Sequence, residues 1–205
     1  MKGPLMIRAV LFDLDGTLLD LDLEGFLGRY FEALAVATRE YAGDRTERFI
    51  DAIRESTRAM MTSHPDVTNE QVFSSEFERL SGTPFADVWP VYERFYAESF
   101  PALGAGTRPA EGSRHAVETA LALGLRVAVA TNPIFPRVAV DHRLAWAGLG
   151  DLELPVITTY EMMFACKPLP AYYDQVAGLL GIEPADCIMV GDDRYLDMPA
   201  ADVGM

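Results

Sequence analysis

Three short apolar runs, each closed by a polar cluster, limit most strongly what this chain can fold into. Residues 7–12, Ile-Arg-Ala-Val-Leu-Phe, lead into Asp13-Leu14-Asp15-Gly16-Thr17. Residues 125–130, Leu-Arg-Val-Ala-Val-Ala, lead into Thr131-Asn132, and Cys187-Ile-Met-Val190 leads into Gly191-Asp192-Asp193. A weaker run, Pro155-Val-Ile-Thr-Thr159, lies between the last two. Short runs that are nearly continuously apolar belong to strands covered on both faces, as parallel strands are. Helical patterns with stop signals separate them: 113–123 ends at Gly124, 136–147 opens at Pro136 and ends at Gly148, and 169–180 ends at Gly181. This alternation predicts an α/β fold built on a doubly wound parallel sheet.

Between the first run and the helix at 113 the apolar period becomes helical. Phe26, Tyr30 and Leu34 share a face with Leu27, Phe31 and Ala35; Phe49 with Ile53, Phe73 with Phe77 and Leu80, and Val88 with Tyr92 and Tyr96 repeat the pattern. Thr68 and Gln71 have the spacing of a capping box. Residues 18–106 are therefore expected to form an all-helical insert of four helices without strands. The Gly/Pro-rich stretch 104–109 returns the chain to a core made of 1–17 and 107–205. A chain of 205 residues has room for one such core and one such insert.

Composition narrows the partners. Half of the residues are hydrophobic and 23% are charged, which is globular, and the formal net charge is −14. So acidic a surface is repelled by phosphate backbones and anionic lipid heads, which argues against nucleic acid and membranes. No apolar run approaches the roughly 18 residues of a membrane span, and Met1-Lys2-Gly3-Pro4-Leu5 does not open a signal peptide, so the expected location is cytoplasmic. Cys166 and Cys187 have no Cys-x-x-Cys partner, which speaks against zinc, and Cys166 reads as a small buried thiol. Nothing in the sequence fixes an oligomeric state.

Ligands of open α/β sheets bind beyond the carboxyl ends of the strands, so the polar clusters should meet in one crevice. Asp13 and Asp15, two residues apart at an extended end, point to one side. Together with Asp192, Asp193 and Asp197 they gather up to five carboxylates, which calls for a cation, and an all-oxygen donor set suits Mg²⁺. Thr131 and Lys167 offer a hydroxyl and an ammonium fitted to phosphate oxygens.

The order Asp13-Leu14-Asp15-Gly16-Thr17, Thr131-Asn132, Lys167-Pro168 and Gly191-Asp192-Asp193 through Asp197 resembles the four motifs of the haloacid dehalogenase-like hydrolase superfamily, and the insert resembles its helical cap. The segments Thr131-Asn-Pro-Ile-Phe-Pro136 and Thr158-Thr-Tyr-Glu161 resemble a poorly characterised microbial branch. The resemblance implies a Mg²⁺-dependent phosphomonoesterase for a small phosphorylated metabolite, with Asp13 as nucleophile forming an aspartyl phosphate and Asp15 as general acid and base. It further implies that Asp13, the main-chain carbonyl of Asp15 and Asp192 hold the metal. Thr131, Asn132 and Lys167 would hold the phosphoryl group, and Asp193 or Asp197 would orient Lys167 from outside. Asp15 counts against a dehalogenase, which lacks the second aspartate. A phosphomutase of the same superfamily is the alternative, with a phospho-accepting receiver domain more remote. The resemblance also implies a further strand past the fourth motif, whereas the sequence stops at Val203-Gly204-Met205.

Overall fold

The computed structural model describes residues 6–205. The opening pentapeptide, read above for its lack of a signal-peptide pattern, lies outside the described residues. In chain order, β1 (Ala9–Phe12) and β2 (Leu19–Asp20) precede the helices α1 (Leu23–Ala42), α2 (Thr46–Met60), α3 (Asn69–Ser81) and α4 (Phe85–Glu98). There follow β3 (Arg108–Pro109), α5 (Ser113–Ala122), β4 (Arg126–Val129), α6 (Arg137–Trp146), β5 (Val156–Ile157), α7 (Pro170–Leu180) and β6 (Cys187–Val190).

The central sheet is parallel throughout, in the order β5-β4-β1-β6. Alternate residues of β1 serve opposite faces. Val10 and Phe12 join Val127 and Val129 beneath Val117 of α5 and Val140 and Leu144 of α6, whereas Ala9 and Leu11 join Ala128 beneath Tyr172, Val176 and Leu180 of α7. Helices on both faces explain why the runs of β1 and β4 are nearly continuously apolar; β6 departs from the expectation of full burial, since Ile188 and Val190 are exposed. Complete burial of Leu11 alone contributes roughly 1.5–3 kcal/mol relative to exposure. Register then sets the site: Phe12 pairs with Val129 on one side and with Val190 on the other, so the clusters after β1, β4 and β6 leave the sheet at one level.

The insert is helical and lines its interior with aromatic rings. Phe26, Phe49, Phe77 and Phe95 are fully buried or nearly so, and Thr68 with Gln71 closes the capping box at the start of α3. The expectation of no strand before the helix at 113 needs correction, because Leu19–Asp20 and Arg108–Pro109 pair as a two-stranded antiparallel ribbon at the neck of the insert. Two-residue strands carry no detectable period, and Pro109, which cannot donate, is tolerated in a strand with no further neighbour. The exposed Asp20–Arg108 ion pair, at 2.7 Å, crosses the same ribbon.

One apolar cluster runs from the insert into the α/β core. The ring of Phe100 stacks on Trp146 of α6 at 5.4 Å, and Tyr30 of α1 meets Phe135 edge-on at the same centroid distance. Gly104, where the chain leaves the insert, lies against Trp146 so closely that a Cβ would overlap the indole. At the start of α3, Asn69 donates its backbone N–H to the Met163 carbonyl (2.8 Å) and its side-chain amide to that of Pro133 (2.9 Å).

Candidate active site

The sheet ladder continues one residue past β1 and β4: Asp13 donates its N–H to the Val190 carbonyl (2.8 Å), and Ala130 donates to that of Phe12 (2.7 Å). Asp13 and Thr131 thus start from neighbouring strand ends, and both are buried. Lys167 arrives on the loop before α7. Its N–H donates to Asn132 Oδ1 at 3.1 Å, which ties the second and third clusters together and leaves the Asn132 amide nitrogen free to donate elsewhere. The carbonyl of Thr131 accepts the Thr158 hydroxyl (2.6 Å) and the Tyr172 hydroxyl (2.9 Å), fixing the backbone at that strand end.

Lys167 is only 1% exposed, and its Nζ lies 2.7 Å from Asp13 Oδ1 and 2.6 Å from Asp197 Oδ1. It is Asp197, rather than Asp193, that meets the ammonium. The other oxygen of Asp197 accepts the Asp193 N–H at 3.0 Å, so both are committed. A Cβ at position 191 would overlap this carboxylate, which is why the fourth cluster needs Gly191. Asp193 instead folds the next turn, its Oδ1 accepting the N–H groups of Tyr195 (2.7 Å) and Leu196 (3.1 Å). Asp192 faces the first cluster: its Oδ1 accepts the Thr17 hydroxyl at 3.2 Å, over Gly16, whose φ of +90° and lack of Cβ make room.

Oxygens of Asp13, Asp192 and Asp197 lie within 4.8 Å of one another. Asp13 and Asp197 share the ammonium of Lys167, and with Asp192 the three carboxylates and one ammonium carry a formal charge of −2. Burial pushes the Asp13 carboxyl up to about 6; Lys167 opposes the rise, and the charges of Asp197 and Asp15 add to it. An all-oxygen, net-negative pocket fits a hard divalent cation. Both oxygens of Asp197 are committed to Lys167 and Asp193, whereas Asp13 and the exposed Asp192 each accept through Oδ1 and keep Oδ2 to hold one.

Asp15 does not join this cluster through its side chain. Its Oδ2 accepts from Nη1 of Arg143, a residue of α6 that sequence reasoning missed. The available signal was position: Arg143 falls between Val140 and Leu144 on the face of α6 that packs on the sheet, where a charged residue is out of place unless paired. Tyr172 was also missed; its ring lies 5.8 Å from Lys167 Nζ.

A family model described as haloacid dehalogenase-like hydrolase matches residues 7–203. The chain is 28% identical over 196 residues to a phosphoglycolate phosphatase of Neisseria meningitidis, covering 92% of this chain and 73% of the relative. It is 25% identical over 193 residues to the chloroplastic protein SUPPRESSOR OF QUENCHING 1 of Arabidopsis thaliana, covering 91% of this chain but spanning only 16% of that protein. In fold it is similar to the crystal structure of a HAD phosphatase from Thermococcus onnurineus, with a TM-score of 0.56, 22% identity, and 97% and 84% of the two chains covered. With the model matched across nearly the whole length and the four polar clusters meeting at the carboxyl edge of one sheet, the chain belongs to the haloacid dehalogenase-like hydrolase family.

Proposed function

We propose that this protein is a Mg²⁺-dependent phosphomonoesterase that hydrolyses a small phosphorylated metabolite through an aspartyl phosphate on Asp13. The observation that carries the reading is the buried ammonium of Lys167 held between Asp13 and Asp197, with Asp192 alongside. A cation fixed beside a nucleophilic carboxylate suits an anionic tetrahedral group better than a neutral substrate. Kinship with a phosphoglycolate phosphatase supports a phosphate ester as the substrate class. The catalytic core would comprise 1–17 and 107–205, and 18–106 would be the helical cap that covers the substrate.

Within this reading Asp13 attacks phosphorus with the oxygen that Lys167 leaves free, and the P–O bond to the leaving group breaks in line. Asp15 gives a proton to the leaving oxygen and afterwards takes one from the water that cleaves the acyl phosphate, a role worth about 10²–10⁴-fold in rate. Lys167, the Thr131 hydroxyl and the free amide of Asn132 hold the equatorial oxygens. Asp197 keeps Lys167 in place, and Asp193 shapes the turn that presents Asp192. Asp13, Asp192 and the main-chain carbonyl of Asp15 would hold Mg²⁺, whose charge lets an anionic nucleophile approach an anionic phosphoryl group. A formal net charge of −14 favours a small ester over a nucleic-acid end.

The test is a panel of phosphorylated metabolites and 2-haloacids, with Mg²⁺ or with chelator, reporting phosphate or halide release. Turnover of small phosphate esters only with Mg²⁺ is expected. Halide release without metal, bisphosphate-dependent isomerisation, or phosphorylation by acetyl phosphate without turnover would each overturn the reading in favour of a dehalogenase, a phosphomutase or a receiver.

A further inference from the structure

Arg143 is the largest fully buried side chain among the described residues, and the mechanism above does not use it. It sits on the inward face of α6 beside Ala139, Val140 and Leu144. Three neighbours hold its guanidinium. Nη1 donates to Asp15 Oδ2, Nε donates to the Ala139 carbonyl at 3.4 Å, and the plane lies over the Phe135 ring at 4.6 Å. Phe135 belongs to the Thr131-Asn-Pro-Ile-Phe-Pro136 segment, and its carbonyl accepts the Tyr160 N–H at 3.2 Å. The Glu161 carboxylate in turn accepts the Arg137 N–H at 2.7 Å, capping the helix that carries Arg143. Both unexplained sequence segments therefore fix the placement of this one arginine.

Two polar atoms of the pair remain unsatisfied. Arg143 Nη2 and Asp15 Oδ1 are buried and have no hydrogen-bond partner among the described residues. A guanidinium and a carboxylate can satisfy each other through two parallel bonds, so an engagement of one arm with one oxygen leaves a donor and an acceptor unused. Buried unsatisfied groups in a native site call for a functional explanation.

Resting on the reading that Asp15 transfers the proton, we infer that Arg143 is its positioning residue: it clamps Oδ2 and leaves Oδ1 as the single oxygen that exchanges a proton with the leaving group. The proton moves from Asp15 Oδ1 to the ester oxygen as the P–O bond breaks, and a water proton restores it when the acyl phosphate is cleaved. Arg143 neither gains nor loses a proton. Without the clamp, the carboxyl group turns freely about its χ angles and meets the leaving oxygen less often in the right geometry.

The effect must depend on the leaving group. For Arg143→Met, kcat/KM for an alkyl phosphate, whose alkoxide has to be protonated, is expected to fall about 10²-fold or more. For p-nitrophenyl phosphate, whose phenolate departs without a proton, the fall should be several times smaller. Arg143→Lys should recover part of the alkyl phosphate activity. In an Asp15→Asn background, Arg143→Met should change the alkyl phosphate rate little further, because the two residues act as one unit. That double variant also removes both buried charges together, and so keeps the test available if Arg143→Met alone does not fold. Equal losses for both esters, or losses that multiply in the double variant, overturn the inference. If the wild-type protein hydrolyses neither ester with Mg²⁺, the proposed function fails instead.

Discussion

Lys167→Met would test the electrostatic design of the site without any substrate. The substitution keeps a long apolar stem but deletes the ammonium held between two buried carboxylates, Asp13 at 8% and Asp197 at 1% exposure. Breaking a buried ion pair from one side costs about 3–5 kcal/mol, because a charge is left without compensation. The wild-type site is already under load. The rise of the Asp13 carboxyl from 3.8 to about 6 corresponds to about 3 kcal/mol of folding free energy at neutral pH. The sign follows from linkage. A carboxyl raised on folding favours the folded state below its unfolded value near 3.8, and that contribution is lost as pH rises through about 6. Removing Lys167 takes away the largest opposing influence, so the folded value climbs further and the deficit widens with pH. Urea unfolding of the metal-free protein, followed by tryptophan fluorescence, should give a variant less stable by about 3–5 kcal/mol at pH 8 and by clearly less at pH 5. Adding Asp197→Asn should restore part of the loss by removing one of the stranded charges. A deficit under about 1 kcal/mol, of the size exposed pairs contribute, or one independent of pH, would refute the reasoning.

Asp192→Ala should raise the Mg²⁺ concentration for half-maximal activity by more than the about 10–100-fold that loss of an outer carboxylate costs. Asp193→Ala should instead lower the melting temperature, since it removes two backbone hydrogen bonds worth about 1 kcal/mol each; Mg²⁺ titrations and melting curves of both variants separate the roles. Gly104→Ala drives a Cβ into Trp146 and should cost about 1–3 kcal/mol in urea unfolding; an unchanged midpoint would show that the neck of the insert yields freely. Burial pushes the Cys166 thiol up to about 12, and the residue has no exposed surface. Iodoacetamide at pH 8 should therefore leave Cys166 unmodified by mass spectrometry until urea is added.

The sheet was legible because a parallel strand writes its ends plainly, as an apolar run stopped by polar residues, even in β6, where Ile188 and Val190 are exposed. Three such ends are paired in register through Phe12, Val129 and Val190. The four helices of the insert were legible through residues such as Phe26, Tyr30 and Leu34, which recur at helical spacing and are all buried. The ribbon of Leu19–Asp20 with Arg108–Pro109 was not, because its pairing joins segments 88 residues apart at Asp20 and Arg108 and has no local period. Asp13 and Lys167 could be named as site residues, but their contact spans 154 positions, and no local pattern chooses Asp197 over Asp193 as the second partner of Lys167. Arg143 escaped for a different reason. Charge usually marks the solvent face of a helix, and the partner that overrides this rule, Asp15, lies 128 positions away.

The most direct test of the central claim is to find where the phosphoryl group goes. Acid quenching during turnover with Mg²⁺ and a hydrolysable phosphate ester, then peptide mass spectrometry, should yield phosphate on the peptide containing Asp13. Turnover in ¹⁸O-labelled water should place the label in the released phosphate and leave the Asp13 carboxylate unlabelled, because water attacks phosphorus in the acyl phosphate. A folded Asp13→Asn protein should show neither the phosphopeptide nor turnover. Label in the Asp13 carboxylate, or undiminished hydrolysis by folded Asp13→Asn, would contradict it.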